Sequence, residues 1–480
     1  MTTSNISILM KRITGIILFL MSTLLISAHP WKPSHYIIID TDAGMDDLKA
    51  INMLLASPDV RVLAIIASGG VMSAESAYAR VKSLLNEYHH QGLPVGINRK
   101  SAYKELAVPL SYEWADQQGI NAAYAPSANE IINYVLKHED TPVSFISLAG
   151  LSTAYEFSEY DPQLYKQIKN IVWSNDAAAP LSGFNYELDS LAVHRVISKN
   201  IPLKIVGYHF PGIYNSSLIG DIKKINTPYA ASTAKLFTRV KDHDFIKGMV
   251  DDMIPVFLHY PELFEADSLN NDMSFYSLRQ NSMDDKIICD ILSGNTVNRN
   301  QLFKEIPVDT SFYFPDIQEY IGDIISFNGL KEWEAGVLAN EMHRHLGIYA
   351  IIGVKMGIRA REYFHIGVDE LFIKSFAGSV PPVSCMNDGL QVSTGATAGH
   401  GLLEIADSIQ IPSAVFTHMD REIKITLKEN IAADIRDELK EINFIYGLDS
   451  NIYWELVRQK AILYWKNLDR HKIFDLTLCR

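Results

Sequence analysis

Between His35 and Phe210 short β-rich runs alternate with helical ones, and this alternation limits the fold more than any other feature of the sequence. HYIIID is followed by DDLKAINMLLAS at helical spacing, and VRVLAIIAS by AESAYARVKSLLNEYHH. PVGIN, EIINYVLKH, VSFISLA, QIKNIVWS and IPLKIVGYHF carry the pattern on. Strands separated by helices of about 10–15 residues make βαβ units, which predict an α/β fold: a mostly parallel sheet flanked by helices. Ligands of such sheets bind outside the carboxyl ends of the strands, so the informative residues are those just after each strand run. A chain of 480 residues is also too long for one typical domain. From about Ala266 to Phe314 it is polar and irregular, and is expected to form surface helices and loops closing the first domain. A helical pattern then runs from Asp316 to Phe364, interrupted near Asn328-Gly329. Strand-like ELFIKSFA follows, and amphipathic helices from about Ala432. The expected division is a first domain over 33–315 and a smaller α+β domain over 316–480.

The N-terminus reads as an address. Lys11 and Arg12 precede the apolar run ITGIILFLMSTLLISA, which ends at Ala28. A basic start, a short apolar stretch and a small final residue are the pattern of a secretory signal peptide, here residues 1–28. The expectation is an exported protein, periplasmic or secreted, with no stable membrane span after removal of the segment; an N-terminal membrane anchor is the alternative. The net charge of −13 argues against a nucleic-acid partner, which needs a basic face. Three cysteines, Cys289, Cys385 and Cys479, are too few for a disulfide framework.

HYIIIDTDAGMDD places Asp40, Asp42, Asp46 and Asp47 just after the first strand. Like charges this close raise one another's pKa values unless something positive lies between them. A hard divalent cation would resolve the repulsion, and a helix N-terminus would favour Asp46 and Asp47. Spacing alone leaves open a plain acidic start to a solvated helix.

The same segment resembles the signature of the inosine–uridine-preferring nucleoside hydrolases, an apolar strand followed by D-x-D-P-G-x-D-D. Further segments agree in order: LAIIASGG, ISLAGLSTA, GFNYELDSLAVHRVI and VDDMIPVFLHYPELF. The resemblance covers about 34–315. It implies Ca²⁺ held by Asp42, Asp47, Asp251 and the backbone carbonyl of Ser152, with Asp46 and Asn185 on ribose hydroxyls. Asp40 is the first Asp of the motif. The implied reaction is hydrolysis of an N-glycosidic bond by a metal-activated water, with Asp42 as base. The implied partner is a small nucleoside or riboside, and a homo-oligomer is expected. Four positions depart from the family pattern. Ala43 replaces the Pro, a mild change as read from sequence. Val250 replaces the His that assists the leaving base, Val71 an Asn and Gly183 a Glu. His209, His243, His259 and Tyr186 are candidate replacement acids. The rival expectations are an impaired nucleoside- or sugar-binding protein, and activity residing in the second domain.

EMHRHLGIYAIIGVKMGIRARE and SCMNDGLQVSTGATAGHG resemble the E-component family of formylmethanofuran dehydrogenase over about 330–425. His343, His345, Cys385 and Asp388 match that family's ligand-type residues, and His400 is a further donor, so a Zn²⁺ site is expected. Two of its thiols are absent, at Gly347 and Ala396. On a regular helix, His343 and His345 would not share a face.

Overall fold

The computed structural model describes residues 32–104, 120–175, 177, 179–207, 216–239, 251–279, 283, 284, 286–296, 305–407 and 409–479. Segment 1–28, His209, His243 and Val250 lie outside these residues. No described helix is long and apolar enough to cross a membrane.

The first sheet has eight strands: β1 His35–Thr41, β2 Val60–Ala67, β3 Val95–Ile97, β4 Val143–Ser147, β5 Ile168–Asn175, β6 Leu203–Gly207, β7 Phe264–Ser268 and β8 Met273–Leu278. Their order is β3-β2-β1-β4-β5-β6-β8-β7, and all neighbours are parallel except β7 and β8. The first module's helices include α1 Met45–Ala56, α2 Ala74–Glu87, α3 Ala128–His138, α4 Ser152–Tyr160, α5 Phe184–Leu188, α6 Pro228–Arg239 and α7 Met253–His259. Alternate residues of β1 serve two cores. Ile37 and Ile39 pack with Leu48 and Val81 on one face; Ile38 packs with Phe145 and Trp173 on the other.

The second module carries α8 Leu330–His343, α9 Ile348–Phe364, α10 Met386–Thr394, α11 Glu429–Tyr446 and α12 Asn451–Asn467. Its sheet has the order β10-β9-β11-β12-β13, with β9 Phe372–Ser375, β10 Leu403–Ile405, β11 Ser413–His418, β12 Arg421–Leu427 and β13 Phe474–Leu478. Trp333 stacks on Trp465 at 5.0 Å in its core. Gly336 lets helix α8 approach, since a Cβ there would fall 2.2 Å from Trp465.

The structure corrects one expectation. The polar stretch after Ala266 is not only helices and loops: β7 and β8 extend the first sheet. Only Phe264 of β7 is buried, so this edge strand lacks the apolar run that marks the inner strands.

Both modules belong to one compact unit. A buried polar seam joins them. Arg61 of β2 pairs with Glu370 at 2.6 Å, and His89 stacks on His471 at 3.5 Å. His90 is fully enclosed. Its Nδ1 faces the Glu362 carbonyl at 2.7 Å and its Nε2 the Tyr229 hydroxyl at 2.7 Å. A carbonyl only accepts, so Nδ1 carries the hydrogen and the neutral ring is satisfied at both nitrogens. Burial, partly offset by Glu362, pushes the His90 pKa down from 6.5 to about 4.

The folded form therefore binds fewer protons than the unfolded form between these two values. His90's contribution is complete above pH 6.5 and is lost as pH falls toward 4, about 3 kcal/mol at 1.36 kcal/mol per unit. Buried carboxylates with raised pKa values act in the opposite direction, so the informative quantity is a difference. Thermal melts of wild type and His90→Asn between pH 7 and 4.5 are expected to converge as pH falls. Parallel curves would show that His90 titrates normally in the fold.

Candidate functional site

Strand order reverses at β1, which lies between β2 and β4. The crevice beyond the carboxyl ends of β1 and β4 is the standard ligand position of such a sheet. The chain leaves β1 through Asp40, Thr41 and Asp42, turns at Ala43 and Gly44, and enters α1 with Asp46 and Asp47 in its first turn. Asp251 arrives from the residues before α7. Oxygens of Asp46, Asp47 and Asp251 lie within 4.8 Å of one another, the only group of three or more such donors among the described residues. Asp42 joins them at Gly44. A Cβ on that glycine would lie 2.9 Å from Asp47 Oδ2, 3.1 Å from Asp46 Oδ1 and 3.3 Å from Asp42 Oδ1.

Hydroxyls and backbone amides aim Asp42, Asp47 and Asp251. Thr41 Oγ1 donates to Asp47 Oδ1 at 2.5 Å and Ser174 Oγ to Asp251 Oδ1 at 2.5 Å. Asp42 accepts the Gly44 N–H on Oδ1 at 3.0 Å and the Val71 N–H on Oδ2 at 2.9 Å. Asp40 takes hydroxyls from Ser68 and Thr153 on Oδ1, while its buried Oδ2 has no hydrogen-bond partner. Burial pushes the Asp40 carboxyl up to about 7 and Asp42 to about 6, and Asp46 adds to the rise at Asp42. Asp47 and Asp251 are raised well above the usual carboxylate range by burial and by the neighbouring carboxylates. Arg80 lies near enough to interact with Asp42 and Asp47, but its Nη1 donates to the Ala43 carbonyl at 3.1 Å. Lys49 pairs with Asp252 at 3.2 Å. The carboxylates thus converge where burial and mutual repulsion raise the pKa values of Asp42, Asp47 and Asp251, and hard oxygen donors in that state fit a divalent cation.

Ala43 stands at φ 58° and donates its N–H to Thr41 Oγ1 at 2.9 Å. A proline ring is fixed near −65° and has no N–H, so replacement of Pro by Ala is not the mild change expected. It permits a different turn. Gly183 stands at φ 91°, which a Glu rarely adopts, so its loop also departs from the motif's geometry.

Ser152 opens α4 and donates its hydroxyl to Asp189 at 2.7 Å. Asn185 is buried on α5, its Nδ2 donating to the Leu148 and Ser174 carbonyls at 3.0 and 3.2 Å. His259 packs on His35 at the start of β1, the end of the strand away from the carboxylates, which removes it as a leaving-group acid. Tyr186 Oη faces His194 Nε2 at 3.3 Å. Sequence reasoning missed Thr41, Ser68, Thr153 and Ser174. Their only signal was a hydroxyl near the carboxyl end of an apolar strand or the start of the helix after it.

In the second module α8 ends at His343 and Arg344 takes a left-handed conformation, φ 69°. The break brings the His343 and His345 rings to 4.2 Å. His343 Nδ1 donates to Asp388 Oδ2 at 2.6 Å, leaving its buried Nε2 without a hydrogen-bond partner. Cys385 precedes α10, and burial with nearby Asp388 pushes its thiol up to about 11. His400 lies past the far end of α10, with Nδ1 3.2 Å from the Gly395 carbonyl and 3.4 Å from Asp369. These residues are not drawn into a group like that of the aspartates.

The fold and the aspartate cluster define a metal-type site at the switch point of an α/β sheet. The model of the inosine-uridine preferring nucleoside hydrolases matches residues 37–301, more than half of the chain, and the chain belongs to that family. Residues 342–456 match the model described as FmdE, molybdenum formylmethanofuran dehydrogenase operon. The pyrimidine-specific ribonucleoside hydrolase RihA of Salmonella enteritidis is 28% identical over 186 residues, 36% of this chain; the chain spans 59% of that relative's length. An inosine-uridine preferring nucleoside hydrolase of Leishmania major is 22% identical over 230 residues, covering 43% of this chain and 73% of its own. The solved inosine-uridine preferring nucleoside hydrolase from Bacillus anthracis aligns with TM-score 0.43 and 13% identity, over 54% of this chain and 99% of its own.

Gly70 tests the packing of the site. A Cβ there would fall 1.9 Å from Asp42 Oδ2. If the cluster holds a divalent cation, Gly70→Ala is expected to weaken its binding at least tenfold by calorimetry, since a 1 Å displacement of a positioned group costs on the order of 100-fold in function, while the circular dichroism spectrum keeps its wild-type form. Unchanged affinity would mean that Asp42 is not fixed as described.

Proposed function

We propose that the protein is a calcium-dependent N-ribosyl hydrolase acting on a nucleoside or related riboside. The observation that carries this reading is the convergence of Asp42, Asp46, Asp47 and Asp251 at the switch point of the sheet. Asp42, Asp47, Asp251 and the Ser152 carbonyl would hold the ion. When bound, it supplies Lewis acidity toward water and ribose hydroxyls. Asp42 accepts the proton of the attacking water. Asp46 and the Oδ1 of Asn185 hold ribose hydroxyls, since Nδ2 of Asn185 is committed to two carbonyls. Water adds at the anomeric carbon as the base leaves, through an oxocarbenium-like state. The test is release of free ribose from inosine, uridine and a nitrophenyl riboside. Wild type with calcium is expected to exceed Asp42→Ala by about 10²–10⁴-fold, and to lose activity to a chelator. No release above Asp42→Ala would overturn the reading.

The remodelled loops at Ala43 and Gly183 favour a second reading, a protein that binds the riboside without turnover. Equilibrium binding of inosine without ribose release would select it.

The second module is read as a zinc-type site centred on His343. Its Nε2 lone pair is buried and its ring is oriented by Asp388, as a carboxylate orients a metal-binding imidazole. Elemental analysis after dialysis is expected to find bound zinc that is lost in His343→Ala. Its absence from wild type would sink this assignment.

A further inference from the structure

The helix that carries Asp46 and Asp47 is held at its other end by the second module. α1 has 12 residues, about 18 Å at 1.5 Å per residue. Of its last four carbonyls, that of Met53 accepts the Ser57 N–H at 3.2 Å, and its last turn holds no basic residue. One of those carbonyls, Leu55, accepts a hydrogen bond at 3.0 Å from Nε2 of His365. His365 closes α9 and stands at φ 53°, in the left-handed region that few residues other than glycine adopt. It is held there from outside its own module, because Arg61 donates to its backbone carbonyl at 2.9 Å.

The first module returns the contact. His90, from the loop after α2, donates to the Glu362 carbonyl in the last turn of α9, and the Gly92 N–H donates to the Tyr363 carbonyl at 2.8 Å. The His90 and His365 rings meet edge to face at 4.5 Å. Each module therefore caps the carboxyl end of a helix in the other.

We propose that His365 is a positioning residue for the aspartate site: it fixes the carboxyl end of α1 and thereby the placement of the carboxylates in its first turn, without touching metal or substrate. The inference rests on the metal-binding reading of that site. Its test needs no riboside. Terbium luminescence and calcium calorimetry on the full chain report metal affinity, and hydrogen exchange of peptides spanning 45–56 reports α1. His365→Phe removes the donor, whereas His365→Gln can place an amide N–H near Nε2. His365→Phe is expected to weaken metal binding by about 2- to 30-fold, the range for residues coupled to a site they do not contact, and to speed exchange in α1. His365→Gln is expected to restore both to within about twofold. His365→Asn, polar but too short to reach Leu55, replaces the Phe variant if that variant does not fold, with the same expectation. Wild-type affinity and exchange in the variants lacking the donor would overturn the proposal. So would equal losses in His365→Gln, since those would report packing alone. No metal binding by wild type would instead overturn the metal-binding reading of the aspartates.

Discussion

The constraint on which the first module depends is electrostatic. Asp42, Asp47 and Asp251 converge beside Asp46 in a place where burial and the neighbouring carboxylates both oppose the ionisation of these three. Hydroxyls and backbone amides aim the oxygens of these three, orienting them without adding net charge. Such an arrangement costs stability in the metal-free chain, and proteins retain such costs chiefly at functional sites. The local backbone reads the same way. Ala43 accepts a left-handed turn, Gly44 leaves open the space among Asp42, Asp46 and Asp47, and Gly70 lets its backbone approach Asp42 closely.

Much of this was legible in the sequence because the carboxylates follow a strand of uninterrupted apolar residues. Inner parallel strands are buried on both faces and announce themselves as such runs, which is why β1, β2, β4, β5 and β6 were readable. The edges were not. β7 is mostly exposed, and β13 comes after two helices, with Asp475 and Thr477 exposed. The second module shows a different limit. Spacing of two residues placed His343 and His345 on opposite sides of a helix, and that geometry holds only while the helix continues. Arg344 ends it, and the rings meet. The hydroxyls of Thr41, Ser68, Thr153 and Ser174 were illegible for another reason: a Ser or Thr near a strand end has no pattern of its own until its partner is known.

The seam between the modules was also invisible, because His89 and His90 read simply as the polar end of α2. In the fold they become its centre. His90 is satisfied at both nitrogens, Arg61 bridges to Glu370 and His365, and Arg470 binds Glu362 and Glu332 behind them. A buried polar seam of this kind contributes less net stability than an apolar one of equal area, because each group must first be desolvated. What it adds is registry. Its donors are matched to particular acceptors, so a shift of either module leaves several groups unpaired at once.

The location of the seam fixes what the second module can do for the first. Arg61 lies near the start of β2, Gly92 before β3, and Tyr134 and His138 toward the end of α3; the last two meet Asp420 of the second module. These positions lie at the amino ends of the strands, opposite the carboxylates. None of these seam residues is therefore placed to touch a ligand in the crevice, and any effect must travel through an element that spans both ends of the sheet. Helix α1 does so. Its positive amino end favours the charges of Asp46 and Asp47, and its negative carboxyl end receives the N–H of His365. A hydrogen bond at one end and carboxylates at the other act on the same rigid element, so the fused module can tune the placement of the site from the far side of the sheet while leaving its mouth unobstructed by the seam.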